Sequence, residues 1–328
     1  MKTALCVLAA ALPLMAQPKL LINAKVDTKS AASGLEGAYK SLLAAQSQPA
    51  WIAWEVPSVP SASLGCEFVR DGYSGTAGVI HLEPPDHAII LFRVEANKMD
   101  KLRSLSPFCE IDAGGLPVHW LSDVSPAQSV ALLATLVPQR ELERNGSVSA
   151  IALHADTSAD PVLDKLVAPN QPEWLRKETA SLIGSRRGKH GVEVLKNLIA
   201  NDQSLVVKQS AISALANSKE PEALTLLIAT ARSDKDSKLR SQAIGTLARK
   251  PGPQVLDTIN NAIANDPDPA VRRHAVDVLS NVPDDAGVPA LIQLVKTSSN
   301  ADVRKQAMQK LQNSHDIRAI AYFEEVLK

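Results

Sequence analysis

The sequence predicts two domains of different class: a small α+β domain with an antiparallel sheet, followed by an all-α solenoid. Three observations predict this. Apolar-basic dipeptides recur every 32 residues through the C-terminal half, β-branched runs between turn signals fill residues 50 to 158, and 328 residues at 45% hydrophobic suffice for two cores.

The chain opens on "MKTALCVLAAALPLMAQPK". A basic start, a short apolar run and Ala16 before a polar residue match a secretory signal peptide over residues 1–16. The competing reading is an uncleaved anchor or a buried helix. No later segment is long and apolar enough to cross a membrane. Removing the signal leaves Cys66 and Cys109, an even pair suited to a disulfide in an oxidising compartment. Closing about 43 residues would stabilise the fold by about 2–4 kcal/mol; two buried thiols are the alternative.

Residues 17–49 read as a mobile lead-in with one helix, "GLEGAYKSLLAAQ". The α+β domain follows over residues 50–158. Its strands are expected in "AWIAWEV", "AGVIHLE", "HAIILFRVEA", "PVHWL" and "SVSAIALHA", with turns at "RDGYSG", "EPPDH", "DAGG" and "RNGS". One helix interrupts them, with Ser125 as cap, Pro126 at its first position and Gln128 closing a capping box. Trp51, Trp54 and Trp120 are core candidates, with one of them a potential exposed anchor.

The solenoid is expected over residues 159–328 as about five units of 32 residues. Leu175, Val207, Leu239, Val271 and Val303 each stand 32 after the last and each precede a cation: Arg176, Lys208, Arg240, Arg272 and Arg304. A second apolar column runs through Leu195, Leu227, Ile259, Leu291 and Phe323, preceded by Val192, Leu224, Leu256, Val288 and Ile320. Spacings of three and four are helical, so each unit holds two amphipathic helices. A helix pair at constant period is an α-solenoid.

Ser204, Asp236, Asp268 and Asn300 stand where the first helix of a unit needs its N-cap. Ala211, Ala243, Ala275 and Ala307 allow close approach of neighbouring first helices, while Asn217, Asn281 and Asn313 suit left-handed caps at their ends. Asp202, Asp234 and Asp266 lie six residues before the next cation, so the basic column reads as a structural Asp/Arg ladder rather than a phosphate grip. The first unit departs from the pattern with Pro172, Thr179 and "GSRRGKHG".

These stretches, "NDPDPAVRRHAVDVL" and "ANDQSLVVKQSAISAL", resemble HEAT-like repeats of the kind seen in the phycobilisome-lyase family. The resemblance covers about half the chain. "FCEIDAGGLPVHWL" and "SPAQSVALL" are similar to the front domain of exported bacterial HEAT-repeat proteins.

Composition and motifs narrow the chemistry. Thirty-five basic and 35 acidic side chains cancel, leaving no global field for nucleic acid or anionic membrane. The seven histidines form no metal-binding spacing, "GYSGTAG" lacks the end of a phosphate loop, and no G-x-S-x-G occurs. No cofactor is implied. The expected function is an exported, non-catalytic scaffold binding a protein or peptide on the concave face of the second helices, at Glu193, Asn197, Thr225, Arg232, Asp257, Asn261, Gln293, Lys296 and Glu325. The alternatives are a lyase-like enzyme, as the resemblance allows, and an envelope spacer. Arg273 and His274 fall outside the shared columns and mark a place for partner-specific contact.

Overall fold

A computed structural model describes residues 21–60, 64, 85–138, 141, 145–250, 252–279, 282 and 286–327. The chain divides into two compact units, Met1–Ser158 and Ala159–Lys328. The segments "AGVIHLE" and "RDGYSG", the signal segment and Cys66 lie outside the described residues.

The first unit is built around central apolar strands buried on both faces and flanked by charged, largely exposed edge strands. β1 (Leu21–Ile22) pairs only with β6 (Ile111–Asp112). The main sheet has the order β2 (Lys25–Ser30), β7 (Pro117–Ser122), β3 (Ala50–Pro57), β4 (His87–Glu95) and β5 (Lys98–Leu105). It is a mixed sheet. The β3–β4 and β4–β5 pairs are antiparallel, as expected, but β7 runs parallel to both β2 and β3. The expected antiparallel pairing therefore holds for only part of it. Hairpin turns join only antiparallel neighbours, and β7 reaches its place from across the sheet.

Four strands lie where none was expected: the two-residue β1 and β6, and two strands of the main sheet. β2 occupies the supposed lead-in, beside the expected helix α1 (Leu35–Ala45), and β5 follows a turn with Ala96 and Asn97 at φ 50° and 61°. Conversely, "SVSAIALHA" forms helix α3 (Ser147–Leu153) rather than a strand. Ser147, Val148 and Ala150 to Leu153 are all buried, so neither period distinguishes strand from helix. Gly146, at φ 84°, and the Asn145 side chain, which accepts from Ser147 N at 3.0 Å, start the helix where a hairpin was read.

Helix α2 (Pro126–Thr135) begins as expected, with Ser125 Oγ accepting from Gln128 N at 3.2 Å. Trp54 stacks on Phe92 at 5.0 Å between centroids, and Tyr39 of α1 closes on Phe92 at 5.2 Å. Burial pushes the Tyr39 hydroxyl up to about 12. Trp51 and Trp120 pack with Ala53, Ile89, Leu91 and Val118 in a second cluster, which places Trp51 and Trp54 on opposite faces of β3. Cys109 is buried just after β5.

The second unit is helical throughout its described residues. A short helix α4 (Ala159–Leu166) precedes five pairs: α5 (Glu173–Arg186) with α6 (Gly188–Asn201), α7 (Leu205–Leu215) with α8 (Pro221–Ser233), α9 (Ser237–Leu247) with α10 (Pro253–Asn265), α11 (Pro269–Val278) with α12 (Gly287–Thr297), and α13 (Ala301–Gln312) with α14 (Ile317–Val326). Ser204, Asp236, Asp268 and Asn300 cap their helices through side-chain oxygens, and Pro269 takes the first helical position of α11. The asparagine caps differ from expectation: Asn313 ends α13 at φ −88°, and Asn217 is not among the residues of positive φ.

Candidate interaction surface of the repeat unit

Leu175, Val207, Leu239, Val271 and Val303 are buried together with the four column alanines, which draws successive first helices into contact. Thr179 fills the alanine position of α5, fully buried, with no hydrogen-bond partner for its hydroxyl among the described residues. Gly184 is required there. A Cβ at Gly184 would lie 2.3 Å from the Ala214 carbonyl oxygen, so α5 and α7 meet closer than any side chain permits.

The basic column runs along this stack with a register the spacing did not reveal. Arg176 grips Asp202 by two bonds, Nε to Oδ2 at 2.8 Å and Nη2 to Oδ1 at 3.1 Å. Arg240 holds Asp266 in the same way, both at 2.8 Å. The carboxylate thus pairs with the cation of the preceding unit, 26 residues back. The position six residues before a cation offers a carbonyl instead: Asp234 O to Arg240 at 2.8 Å, Asp266 O to Arg272 at 2.6 Å and Ser298 O to Arg304 at 2.7 Å. Lys208 reaches the Ala200 carbonyl at 3.2 Å. Each carboxylate also folds its own turn, since Asp202, Asp234 and Asp266 accept from Ser204, Asp236 and Asp268 N at 2.7–2.9 Å.

These contacts set the charge states. Burial opposes ionisation of Asp202, but the bonds from Arg176 and Ser204 N outweigh it and hold its carboxyl below the usual range. The hydrogen bond to Asp266 raises the Arg240 guanidinium above its ordinary value. In the first unit "GSRRGKHG" supplies a parallel device: Arg187 Nε meets Asp160 of α4 at 2.6 Å, and His190 Nε2 meets Asp164 at 3.0 Å. Those residues fasten α4 to the array, which accounts for their departure from the pattern.

On the second helices Leu195, Leu227, Ile259 and Leu291 are buried, whereas Phe323 is half-buried. In the companion column Val192 is buried, Leu224, Leu256 and Val288 are half-buried and Ile320 is exposed, so after its first member the column flanks the core rather than filling it. The inward positions are Gly191, Ala223, Val255, Gly287 and Ala319, again 32 apart. Small side chains there carry little hydrophobic signal, and at Gly191 the absent side chain lets α6 meet α5, since a Cβ would lie 2.7 Å from the Ile183 carbonyl oxygen.

All nine candidate residues, Glu193, Asn197, Thr225, Arg232, Asp257, Asn261, Gln293, Lys296 and Glu325, are exposed. They lie on α6, α8, α10, α12 and α14, one or two to a helix. Three of them contact neighbours outside the set: Glu193 faces Lys196 at 3.6 Å, Asn261 accepts from Asn265 at 2.8 Å, and Lys296 lies 5.4 Å from the centroid of Tyr322. The charged members alternate in sign along the chain.

One buried constellation in the first unit escaped the sequence reading. Trp54 Nε1 donates to Ser129 Oγ at 2.9 Å, and Ser129 Oγ lies 2.9 Å from His154 Nε2. His154 Nδ1 is 2.7 Å from Ala150 O, so Nδ1 carries the proton and Nε2 accepts from the serine. Ser129 and His154 are both 0% exposed, so this hydroxyl–imidazole pair joins β3, α2 and α3 and meets no solvent. Only the separation of the three residues in sequence hid it. Among the described residues no group of three or more His, Cys, Asp or Glu is placed to hold a metal, and no helix is long and apolar enough to cross a membrane.

The model for HEAT repeats matches residues 159–248 and 226–312. No curated protein matches the chain. Among solved structures, the CpcE–CpcF complex of phycocyanin lyase from Nostoc sp. is 19% identical, covering 47% of this chain and 98% of that chain at a TM-score of 0.33. Human deoxyhypusine hydroxylase in complex with glycerol is 14% identical, covering 62% of this chain and 96% of that chain at a TM-score of 0.29.

Proposed function

We propose, from the premise that residues 159–312 carry HEAT repeats, that this protein is an extracytoplasmic, non-catalytic scaffold that binds a protein partner on its second helices. One observation carries the reading. In four of the five units a side-chain oxygen caps the first helix, and across all five the second helices leave nine polar side chains exposed at repeating positions. Stacked repeats offer extended surface without an enclosed pocket, and binding is the output that suits them.

Export rests on residues 1–16 and on the pair Cys66 and Cys109, which we propose to be disulfide-bonded in the mature protein. Intact-mass measurement of protein recovered from the cell envelope tests both. The expected species begins at Gln17 and gains alkylation at Cys66 and Cys109 only after reduction. A mature chain retaining Met1, or alkylated without reduction, would oppose export. Affinity isolation with wild type and with the triple variant Glu193→Lys, Asp257→Lys, Lys296→Glu tests the surface. The wild type retains a partner that the variant loses, and an unchanged partner list contradicts the proposed face.

A further inference from the structure

The lacing between first helices is interrupted at one junction. A polar column reaches back to the preceding first helix three times: Ser210 Oγ donates to Lys177 O at 3.2 Å, Gln242 Nε2 to Ser213 Oγ at 2.8 Å, and Gln306 Nε2 to Arg273 O at 2.9 Å. On α11 the same column holds His274, and opposite it stands Gly245, where the neighbouring units have Ser213 and Asp277. The imidazole lies across the vacant position, its Nε2 3.1 Å from where a Cβ would be. Beside it an open groove of about 770 Å³ lies between α7, α9 and α11.

Two features point to an occupant that the chain does not supply. Thr246, which lines the groove, is 1% exposed, and its hydroxyl has no partner among the described residues. Buried hydroxyls without partners are rare and call for a group to bond. Lys238 and Arg249 also line the groove, exposed and without an ion pair among the described residues. The carboxylate in the lining, Asp268, is already engaged by the Ser237 hydroxyl and by Ala270 N at 2.8 Å, which hold its carboxyl below the usual range.

Geometry narrows the ligand. Lys238 and Arg249 are eleven residues apart on and just after α9, about 16 Å at 1.5 Å per residue. That is about five residues of extended chain at 3.3 Å each. Between the cations Gln209, Ser241 and Gln242 present amides and hydroxyls suited to peptide N–H and C=O groups. We propose that this groove docks an extended acidic peptide segment of a partner, its carboxylates at Lys238 and Arg249 and its backbone alongside Gln242 and His274. The site is distinct from the second-helix face, and either can fail without the other.

Fluorescence anisotropy with the mature protein and fluorescein-labelled hexaglutamate tests the proposal at low ionic strength, where such contacts are least screened. Saturable binding is expected, weakened at least tenfold by Lys238→Glu with Arg249→Glu and unaltered by the Glu193, Asp257 and Lys296 reversals. Both cations are exposed, and matching circular dichroism melts confirm that the double variant folds. Absence of saturation up to millimolar protein, indifference to the double variant, or equal competition by hexathymidylate would overturn the acidic-peptide assignment.

Discussion

The two units solve the same problem, a polar group inside a packed interior, in opposite ways. In the sheet unit Trp54, Ser129 and His154 form a chain that occurs once and draws on three elements. In the repeat unit the Arg176–Asp202 clasp returns 64 residues later as Arg240–Asp266, while Lys208, Arg272 and Arg304 at the equivalent positions bond only carbonyls among the described residues. The repeat therefore contains its own controls. Comparing copies separates what a contact contributes from what its column merely permits.

The largest expected effect breaks a clasp. Arg240→Ala leaves the Asp266 carboxylate, 4% exposed at its side chain, without its partner, and costs about 3 kcal/mol. Arg304→Ala, whose residue bonds one carbonyl and is half-buried, costs about 1 kcal/mol. Urea melts of the two variants give the difference directly, and equal losses would deny the clasp its special place. Gly184→Ala drives a methyl against the Ala214 carbonyl and lowers stability by about 1–3 kcal/mol.

Ser129→Ala strands the Trp54 N–H and the His154 acceptor, at a cost of about 1–2 kcal/mol visible in the thermal midpoint. Acid acts on the repeat unit in a defined direction. The hydrogen bond from Arg318 lowers Asp316 from 3.8 to about 2, and Asp202 is lowered as well. A depressed carboxyl contributes stability that is complete above the unfolded value near 4 and lost as pH falls through the folded value. Thermal midpoints should drop below about pH 4, and Asp316→Asn should flatten part of the fall down to about pH 2. The smallest change is of opposite sign: Gly245→Ala adds about 0.5–1 kcal/mol of helix propensity while narrowing the groove beside His274, so a stability gain with weaker hexaglutamate binding is expected.

Legibility differed between the units for the same reason. The caps Ser204, Asp236, Asp268 and Asn300 and the large apolar columns were legible because five copies reinforce each position. Within the repeat, the signal failed where the inward residue is small, as at Ala223 and Gly287, because the larger neighbour that carries the pattern is only half-buried. In the five-stranded sheet the two strands that were missed, β2 "KVDTKS" and β5 "KMDKLRSL", are its two edges among the described residues. Edges carry charges that discourage pairing with another chain, so they lack the apolar alternation that reveals a strand. Helix α3 failed from the other side, being buried nearly all round. Among the candidate site residues, exposure of the second-helix face followed from helical phase, whereas the groove at Gly245 and Thr246 depends on three first helices meeting, which no single stretch displays.

The scaffold account is tested most directly by crosslinking mass spectrometry on whole cells producing the native protein. Lysines on the second helices, Lys196 and Lys296, are exposed, and the account predicts reproducible crosslinks from them to one extracytoplasmic partner; because Lys296 is itself replaced in the Glu193, Asp257 and Lys296 reversal variant, the loss there is read at Lys196. Crosslinks confined to residues before 159, or an undiminished pattern in that variant, would contradict it.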